Sequence, residues 1–415
     1  MKVGQVCAAA RRAARVVAAL PRADKDAALM DVADALGRRA DEVIAENQED
    51  LRLAHKNHLA AALVDRLLLD EVRLRDVQDA VRAVAALPDP VGEVVDGWRL
   101  DNGIELRKVR APLGVIAVVY EARPNVTVDA AALCLKSGNA AVLRGGSAAK
   151  HTNRMLAEVV QGALLEAGLP REAVTYLGPE RQQLAELLEQ RETVDLIIPR
   201  GGEELKEYLL ENSKVPVVYA AGGNCHVYVD ASADLAKAAA IVVNAKCQRP
   251  GVCNAAETLL VHRGVAEAFL PDVAAELRRQ GVELVVDEAS AAAIGEPSLP
   301  RAQAEDWQTE FLALKMAVRV VDSLDEALDH IAEYGTKHSE AIVTEDLSAA
   351  RRFTSGVDAA CVYVNASTRF TDGGEFGLGA EMGIATQKLH VRGPIALREL
   401  TCVKYELWGD GQVRG

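Results

Sequence analysis

The pattern of apolar and polar positions changes character near residue 90. Before it, apolar residues recur every three to four positions, for example at Val32, Leu36 and Val43, which is typical of amphipathic helices. From Gly114 onward, short and nearly continuous apolar runs alternate with helical stretches, notably 153–167 and 203–212. This rhythm is typical of βαβ units in a parallel sheet that is covered on both faces. The pattern therefore predicts an α/β protein with a helical N-terminal region.

The predicted strands fall into two groups. The first group comprises residues 115–120, 140–143, 174–177, 194–198, 215–219 and 226–229, and the second comprises 258–261, 282–286, 318–321, 341–343 and 361–364. Residues 98–109 differ because apolar residues alternate with polar ones and the stretch contains Asn102-Gly103, a strong signal for a hairpin turn. We expect them to form a two-stranded ribbon, and 397–407 to form another strand.

Composition narrows the class of protein. Half of the 415 residues are hydrophobic and 26% are charged, which is typical of a folded globular chain. We see neither an apolar run of the roughly 20 residues that span a bilayer nor a secretory signal. The formal charge of −14 disfavours nucleic acid as a partner. Seven irregularly spaced cysteines favour a reducing, cytoplasmic compartment over a disulfide framework.

Three predicted junctions carry a glycine pair, at 145–146, 201–202 and 222–223. Glycine lets a backbone approach a ligand, and the start of a following helix offers free N–H groups to an anion. Arg144, Lys150 and Arg200 add positive charge at the first two junctions. A single junction of this kind is commonly an ordinary turn, but three in one α/β chain favour nucleotide binding.

Cys253 is the leading candidate for a nucleophile. It follows Pro250-Gly251 in a polar loop, where Lys246 and Arg249 would favour its thiolate. Cys247 is a competing candidate six residues earlier. Cys225-His226 would suit a metal, but no second pair stands at ligand spacing, so we predict no metal site and interpret the pair as part of a strand.

Several longer stretches together resemble the aldehyde dehydrogenase superfamily, nearly from end to end. They are residues 120–125 (YEARPN), 136–139 (KSGN), 144–147 (RGGS), 223–230 (GNCHVYVD), 248–254 (QRPGVCN), 335–340 (GTKHSE), 364–367 (VNAS) and 370–377 (FTDGGEFG). The resemblance implies an α/β fold with three parts. These are a parallel-sheet cofactor domain (1–97 and 110–230), an α/β catalytic domain (231–392) and an oligomerisation β-ribbon (98–109 and 393–415).

Within the superfamily, the stretches are most similar to members that act on acyl phosphates. This implies NADPH-dependent reduction of L-glutamyl 5-phosphate to L-glutamate 5-semialdehyde with release of phosphate, the second step of proline synthesis from glutamate. By position, Cys253 would form a thioacyl intermediate, and Asn125 would stabilise the developing oxyanion. Hydrolytic members place a water-activating glutamate just before the third glycine pair, where this chain has Ala220-Ala221.

The resemblance also implies residues that bind the cofactor and the substrate. Ser147 stands where relatives that prefer NAD often carry a glutamate, so we expect NADPH, with its 2′-phosphate near Ser147, Arg144 and Lys150. Glu310 would hold the nicotinamide ribose. The expected cofactor-binding set is Arg144, Gly145, Gly146, Ser147, Lys150, Arg200, Gly201, Gly202 and Glu310, and the expected substrate-binding set is Arg123, Arg249, His338 and Arg369, with Lys337 a further candidate.

Partners and alternatives follow from the same reasoning. We expect a homodimer or homotetramer, and glutamate 5-kinase is a candidate partner because acyl phosphates are labile. A dehydrogenase for another small aldehyde or acyl donor is one alternative. A non-catalytic nucleotide-binding scaffold is another, although the Cys253 segment argues against it.

Overall fold

A computed structural model describes residues 2–219 and 222–414. The helices are α1 (Val3–Ala18), α2 (Arg22–Arg38), α3 (Ala40–Lys56), α4 (Ala61–Leu67), α5 (Glu71–Ala86), α6 (Asn125–Lys136), α7 (Lys150–Glu166), α8 (Arg181–Leu188), α9 (Glu203–Asn212), α10 (Leu235–Cys247), α11 (Arg263–Arg279), α12 (Glu288–Ile294), α13 (Leu324–Tyr334) and α14 (Leu347–Gly356). The strands are β1 (Val94–Arg99), β2 (Glu105–Pro112), β3 (Val115–Tyr120), β4 (Ala140–Gly145), β5 (Val174–Leu177), β6 (Leu196–Arg200), β7 (Cys225–Val229), β8 (Ala256–His262), β9 (Glu283–Val286), β10 (Lys315–Val321), β11 (Ser339–Val343), β12 (Cys361–Val364), β13 (Ile384–Ala385), β14 (Gly393–Pro394) and β15 (Thr401–Trp408).

The first parallel sheet has four strands in the order β5-β4-β3-β6. Alternate residues of β3 enter different cores because successive side chains of a strand point to opposite faces. Ile116 packs with Leu29 and Leu36 of the N-terminal helices, whereas Ala117 packs on the other face with Val3 of α1. Burial on both faces explains the continuous apolar run that predicted this strand.

The second parallel sheet has six strands in the order β12-β11-β7-β8-β10-β9. Strand β7 lies inside it, paired with β11 and β8, although the sequence assigned residues 226–229 to the first group. The chain therefore enters the second sheet before the expected boundary at residue 230. Periodicity alone shows that β7 is buried on both faces, but not which sheet it joins.

Residues 215–219 do not form the expected full strand. The chain makes a single parallel bridge there, between Ile197 and Val217. Pro216 has no N–H to donate, and its carbonyl instead accepts a hydrogen bond of 2.9 Å from the Ile197 N–H. The segment consequently lies beside β6 but does not add a regular strand to the sheet.

The expected ribbon is present as an antiparallel sheet in the order β1-β2-β15. The Asn102-Gly103 turn is confirmed, with Gly103 at a positive φ of 88° and the Leu100 N–H bonded to the Ile104 carbonyl at 2.8 Å. Its exposed apolar side chains include Trp98, Tyr405 and Trp408. Cys402 also lies exposed on β15.

The fold is α/β with two parallel sheets and a separate β-ribbon, as the sequence predicts. Among the described helices, none combines the length and apolar character needed to cross a membrane. The carboxyl end of β6 and the loop before β8 line one common cavity, which is where the candidate chemistry converges.

Candidate active site

Cys253 lies in the connection between α10 and β8, which we call the Cys253 loop (residues 248–255). The thiol is half-buried. The loop precedes β8, and Gly223 and His338 precede the neighbouring strands β7 and β11. The nucleophile candidate therefore sits at the amino-terminal edge of the second sheet.

The third glycine pair brings the chain against this loop. A Cβ atom on Gly223 would lie 1.4 Å from the Cys253 carbonyl oxygen, so a side chain there would force the backbone to move. The Gly223 N–H donates to Glu310 Oε1 at 2.7 Å, and a Cβ on Gly222 would lie 2.6 Å from Glu310 Oε2. These glycines thus allow close approach to the Cys253 loop and to Glu310. Ala220 and Ala221 stand where hydrolytic family members carry a glutamate, and both lie outside the described residues.

Buried side chains in β7 and at the start of β11 lie against the Cys253 loop. The Cys225 thiol donates to the Cys253 carbonyl at 3.2 Å. His338 is fully buried, 2.9 Å from Ser339 Oγ and 3.8 Å from Cys225 Sγ. Desolvation lowers the pKa of His338 to about 4, so its ring is neutral at pH 7. The structure therefore places His338 in the interior beside Cys225 and Ser339, and its expected contact with substrate stays a prediction.

Lys246 differs from its expected role beside the thiolate. Its ammonium is fully buried and pairs with Glu257 Oε2 at 2.5 Å. The other oxygen of Glu257 accepts the Leu312 N–H at 3.2 Å. This ion pair ties the two flanks of the Cys253 loop to the segment that carries Glu310. Lys246 therefore organises the site and does not activate the thiol.

Arg369 holds the other side of the same loop. Its guanidinium donates to Gln248 Oε1 at 2.8 Å and also to Asn254 Oδ1. The amide of Asn254 in turn donates to the Thr371 carbonyl at 2.9 Å, and Thr368 Oγ1 donates to the Asn254 carbonyl at 2.7 Å. The Nε and Nη1 groups of Arg369 thus bind the loop, and its expected contact with substrate stays a prediction.

The surroundings keep Cys253 protonated in the free protein. Burial, assisted by the Glu310 carboxylate and opposed by Arg200, raises the pKa of its thiol to about 11. The sequence instead suggested a thiolate favoured by Lys246 and Arg249. The difference arises because Lys246 is neutralised by Glu257 and because desolvation outweighs the distant cations.

A cavity of about 620 Å³ opens beside the two residues that precede Cys253. Its walls come from α4, α5, α6, the end of β6 and the Cys253 loop. The polar and charged residues among its lining are Asp65, Arg66, Arg73, Asp76, Arg123, Asn125, Asp129, Arg200, Arg249 and Glu381.

Four arginines in this cavity, which we call the arginine cluster, are Arg66, Arg123, Arg200 and Arg249. Arg73 is already paired with Asp65 at 2.6 Å, but none of these four forms an ion pair within residues 2–219 and 222–414. Burial lowers the pKa of Arg123, and the positive charges of Arg200, Arg66 and Arg249 lower it further. This mutual repulsion would be relieved by a bound anion, so the cavity suits a ligand with more than one negative charge.

Arg200, which the sequence assigned to the cofactor-binding set, belongs to this cluster, and its expected contact with the cofactor stays a prediction. It is the last residue of β6, it lines the cavity, and its charge acts on Cys253. The neighbouring Gly201 packs against Glu121, whose carboxylate accepts the Gly202 N–H at 3.2 Å. Arg200, at the second glycine junction, therefore lines the same cavity as the Cys253 loop.

Asn125 and Asp129 form a pair on α6. Asn125 is the first residue of the helix, and its Nδ2 donates to Asp129 Oδ2 at 2.8 Å. Both side chains line the cavity together with Arg123. One amide hydrogen of Asn125 is therefore fixed by Asp129, which leaves the second hydrogen for another acceptor.

The first glycine junction lies at the carboxyl end of β4. Ser147 begins a short 3₁₀ turn there and Lys150 begins α7, and both are exposed. Arg144 points the other way, with Nη2 donating to the Pro179 carbonyl at 2.6 Å. Gly145 packs against Asn153, because a Cβ would lie 2.1 Å from its Nδ2, while Gly146 faces the backbone of Glu121. Of the residues expected to bind the cofactor here, Arg144 and Gly145 pack against the protein, whereas Ser147 and Lys150 lie on an open polar surface.

Sequence reasoning missed Arg66, Asp129 and Glu381, which all line the cavity. Asp129 could have been found, because it follows Asn125 by four residues and so lies on the same face of a predicted helix. Arg66 lies in the N-terminal helical region, and nothing in its local sequence indicates that it reaches a site formed by residues 123–252.

Comparison with known proteins defines the class. Residues 1–296 match the aldehyde dehydrogenase family. The chain belongs to this family.

The more similar relatives carry one particular name. A gamma-glutamyl phosphate reductase from Thermobifida fusca is 54% identical over 413 residues, which cover 99% of this chain and 98% of the relative. The crystal structure of gamma-glutamyl phosphate reductase from Thermotoga maritima superposes with a TM-score of 0.98 at 44% identity, and each chain is covered completely. A more distant fold neighbour is an engineered glycolyl-CoA reductase with bound NADP+, with 15% identity, a TM-score of 0.69, and 97% and 96% of the two chains covered.

Proposed function

We propose that this chain is an oxidoreductase that reduces L-glutamyl 5-phosphate to L-glutamate 5-semialdehyde with NADPH and releases phosphate. This is the second step of proline synthesis from glutamate. The observation that carries the proposal is the placement of Cys253 beside a cavity with four arginines that have no ion-pair partner in the described chain. Near full-length identity of 54% to a relative named for this activity supports the same reaction.

The arginine cluster suits the charges of this substrate. L-glutamyl 5-phosphate carries an acyl phosphate at one end and an α-carboxylate at the other, and guanidinium groups bind both. Arg200 and Arg249 lie towards the nucleophile, since Arg200 acts on the Cys253 charge and Arg249 is part of the Cys253 loop. We assign them to the phosphate, and Arg123 with Arg66 to the α-carboxylate.

Cys253 is the nucleophile in this proposal. Its sulfur attacks the acyl carbon, the C–O bond to phosphate breaks, and a thioester forms on Cys253. The thiol proton leaves with the phosphate, whose dianion is a basic acceptor beside Arg200. This arrangement explains how a thiol with a pKa of about 11 in the free protein reacts at neutral pH: its proton leaves as the bond forms.

Asn125 and the backbone hold the charge that develops on the acyl oxygen. The second amide hydrogen of Asn125 and the Cys253 N–H are the donors proposed for this oxyanion. Asp129 fixes the orientation of the Asn125 amide through the 2.8 Å hydrogen bond. The same donors serve the thiohemiacetal that collapses to the semialdehyde and regenerates the Cys253 thiol.

The cofactor site proposed for NADPH follows the carboxyl ends of the first sheet, where ligands bind in open α/β folds. Ser147 and Lys150 are exposed polar groups at the start of α7, and Gly202 has open space around it, so this edge fits a nucleotide with an additional phosphate. Glu310, beside Gly223, is the proposed partner of the nicotinamide ribose. When bound, NADPH supplies the hydride that reduces the thioester.

Three further features complete the proposal. The exposed apolar side chains of the ribbon, among them Trp98, Tyr405 and Trp408, suit a contact that builds a homodimer or homotetramer. All seven cysteines are free thiols, which fits the cytoplasm. Glutamate 5-kinase is a proposed partner because its labile product would be protected by direct transfer.

The reverse reaction tests this function. Purified protein is given glutamate 5-semialdehyde and NADP, with and without phosphate, and NADPH is followed by absorbance. We expect steady turnover that requires phosphate and is abolished by Cys253→Ala. Turnover of the same rate without phosphate would indicate a hydrolytic dehydrogenase instead, and unchanged turnover in Cys253→Ala would remove Cys253 from the mechanism.

A further inference from the structure

Asp129 is one of four carboxylates, with Asp65, Asp76 and Glu381, in the cavity that holds the arginine cluster. It lines the same 620 Å³ cavity as the arginine cluster, yet no arginine pairs with it. Among the described residues, its side-chain partner is Asn125, which donates to Oδ2 at 2.8 Å. If charge neutralisation within the protein were its role, a neighbouring guanidinium would be its natural partner.

The surroundings of Asp129 favour a cationic group that belongs to a bound ligand. Burial raises the pKa of this carboxyl to about 6, the Asn125 amide lowers it, and among charged groups Arg200 acts on it in the same direction. Val126, Ala130 and Leu133 of the same helix also line the cavity and provide its apolar wall there. A partly buried carboxylate whose second oxygen is not bonded to Asn125 can bind an ammonium group through a charge-assisted hydrogen bond.

We infer that Asp129 binds the α-ammonium group of the substrate and makes the site selective for α-amino acyl compounds. This inference rests on the proposed function, since it concerns how the same cavity recognises its substrate. The arginine cluster accepts the phosphate and the α-carboxylate, and Asp129 accepts the remaining charge. The cavity thereby distinguishes glutamate 5-semialdehyde from 5-oxopentanoate, which lacks the amino group alone.

The test compares these two aldehydes in the phosphate-dependent reverse reaction, with wild-type protein, Asp129→Asn and Asp79→Asn. Asp79 is an exposed residue of α5 that pairs with Arg82, so its variant removes the same charge away from the cavity. For Asp129→Asn we expect kcat/KM for glutamate 5-semialdehyde to fall about tenfold to a hundredfold, the effect of losing one charge-assisted hydrogen bond. The value for 5-oxopentanoate should fall at least about threefold less, because this aldehyde loses only the orientation of Asn125 and carries no ammonium group.

Other outcomes would overturn the inference. An equal fall for both aldehydes, mainly in kcat, would mean that Asp129 only orients Asn125. No fall for either aldehyde would mean that the carboxylate contacts no substrate. Asp129→Glu keeps the charge and should retain a preference for the amino aldehyde, so this variant distinguishes an effect of charge from an effect of packing. Thermal unfolding verifies that each variant is folded. Wild-type protein without phosphate-dependent activity would instead count against the proposed function.

Discussion

The Gly223 α-carbon and the Cys253 carbonyl oxygen are packed so closely that a methyl group on Gly223 would lie 1.4 Å from that oxygen. The contact joins the segment before β7 to the Cys253 loop before β8. The Cys225 thiol bonds the same oxygen at 3.2 Å, so the Cys253 backbone is fixed from two sides. A nucleophile gains most from such restraint, because small displacements of a reacting atom are costly.

Gly223→Ala should therefore displace the Cys253 backbone. We expect kcat to fall about a hundredfold, the effect of roughly 1 Å of misplacement, in a protein that still folds. Gly162→Ala is the matched control, because a Cβ on that residue of α7 meets nothing within 4 Å. Steady-state kinetics and circular dichroism check both variants, and full activity in Gly223→Ala would show that the loop tolerates the shift.

Lys246→Ala should be strongly destabilising. It leaves Glu257 as an uncompensated charge in a fully buried site, which costs about 3–5 kcal/mol. Lys237→Ala is the control on the same helix, since its pair with Glu345 is exposed to solvent and should contribute little to stability. Urea unfolding of both variants measures the difference. Similar losses in the two variants would contradict the structural role assigned to the buried pair.

Alkylation of Cys253 should depend steeply on pH. With a pKa of about 11, the thiolate fraction in the free protein increases about tenfold per pH unit from 7 to 10, so labelling by iodoacetamide should follow that slope. Glu310→Gln removes a negative charge that raises this pKa, so labelling at pH 8 should become faster; Arg200→Ala should make it slower. Peptide mass spectrometry separates Cys253 from the exposed Cys402. Fast labelling of Cys253 at pH 7 that is independent of Glu310 would refute this account of the thiol.

Ser147→Glu should change the choice of cofactor. A carboxylate at this exposed position repels a 2′-phosphate but can accept hydrogen bonds from ribose hydroxyls. We expect kcat/KM for NADPH to fall at least about tenfold, while the value for NADH in the same variant stays level or increases. An equal decrease with both cofactors would place the 2′-phosphate elsewhere.

The fold could be predicted where burial leaves a simple periodic signal. Strand β3 is apolar throughout because Ile116 and Ala117 enter cores on opposite faces. The Asn102-Gly103 turn was equally clear because few residue pairs adopt that conformation. The membership of β7 in the second sheet was not predictable, because pairing between strands depends on tertiary packing.

The site was predicted less completely. Cys253 was singled out by its own loop, but the charges around it could not be assigned from their distance along the chain. Lys246 precedes Cys253 by seven residues and yet pairs with Glu257, while Arg200 comes from another sheet and acts on the thiol. His338 shows the same limit, since a polar residue in a characteristic motif proved to be a buried support.

The central claim is that Cys253 forms a thioacyl intermediate that only phosphate resolves efficiently. Rapid mixing of the protein with glutamate 5-semialdehyde and NADP in phosphate-free buffer tests it directly. The account predicts a burst of about one NADPH per active site, followed by a stall that ends when phosphate is added. Continued turnover without phosphate, or the absence of any burst while phosphate-dependent turnover persists, would contradict it.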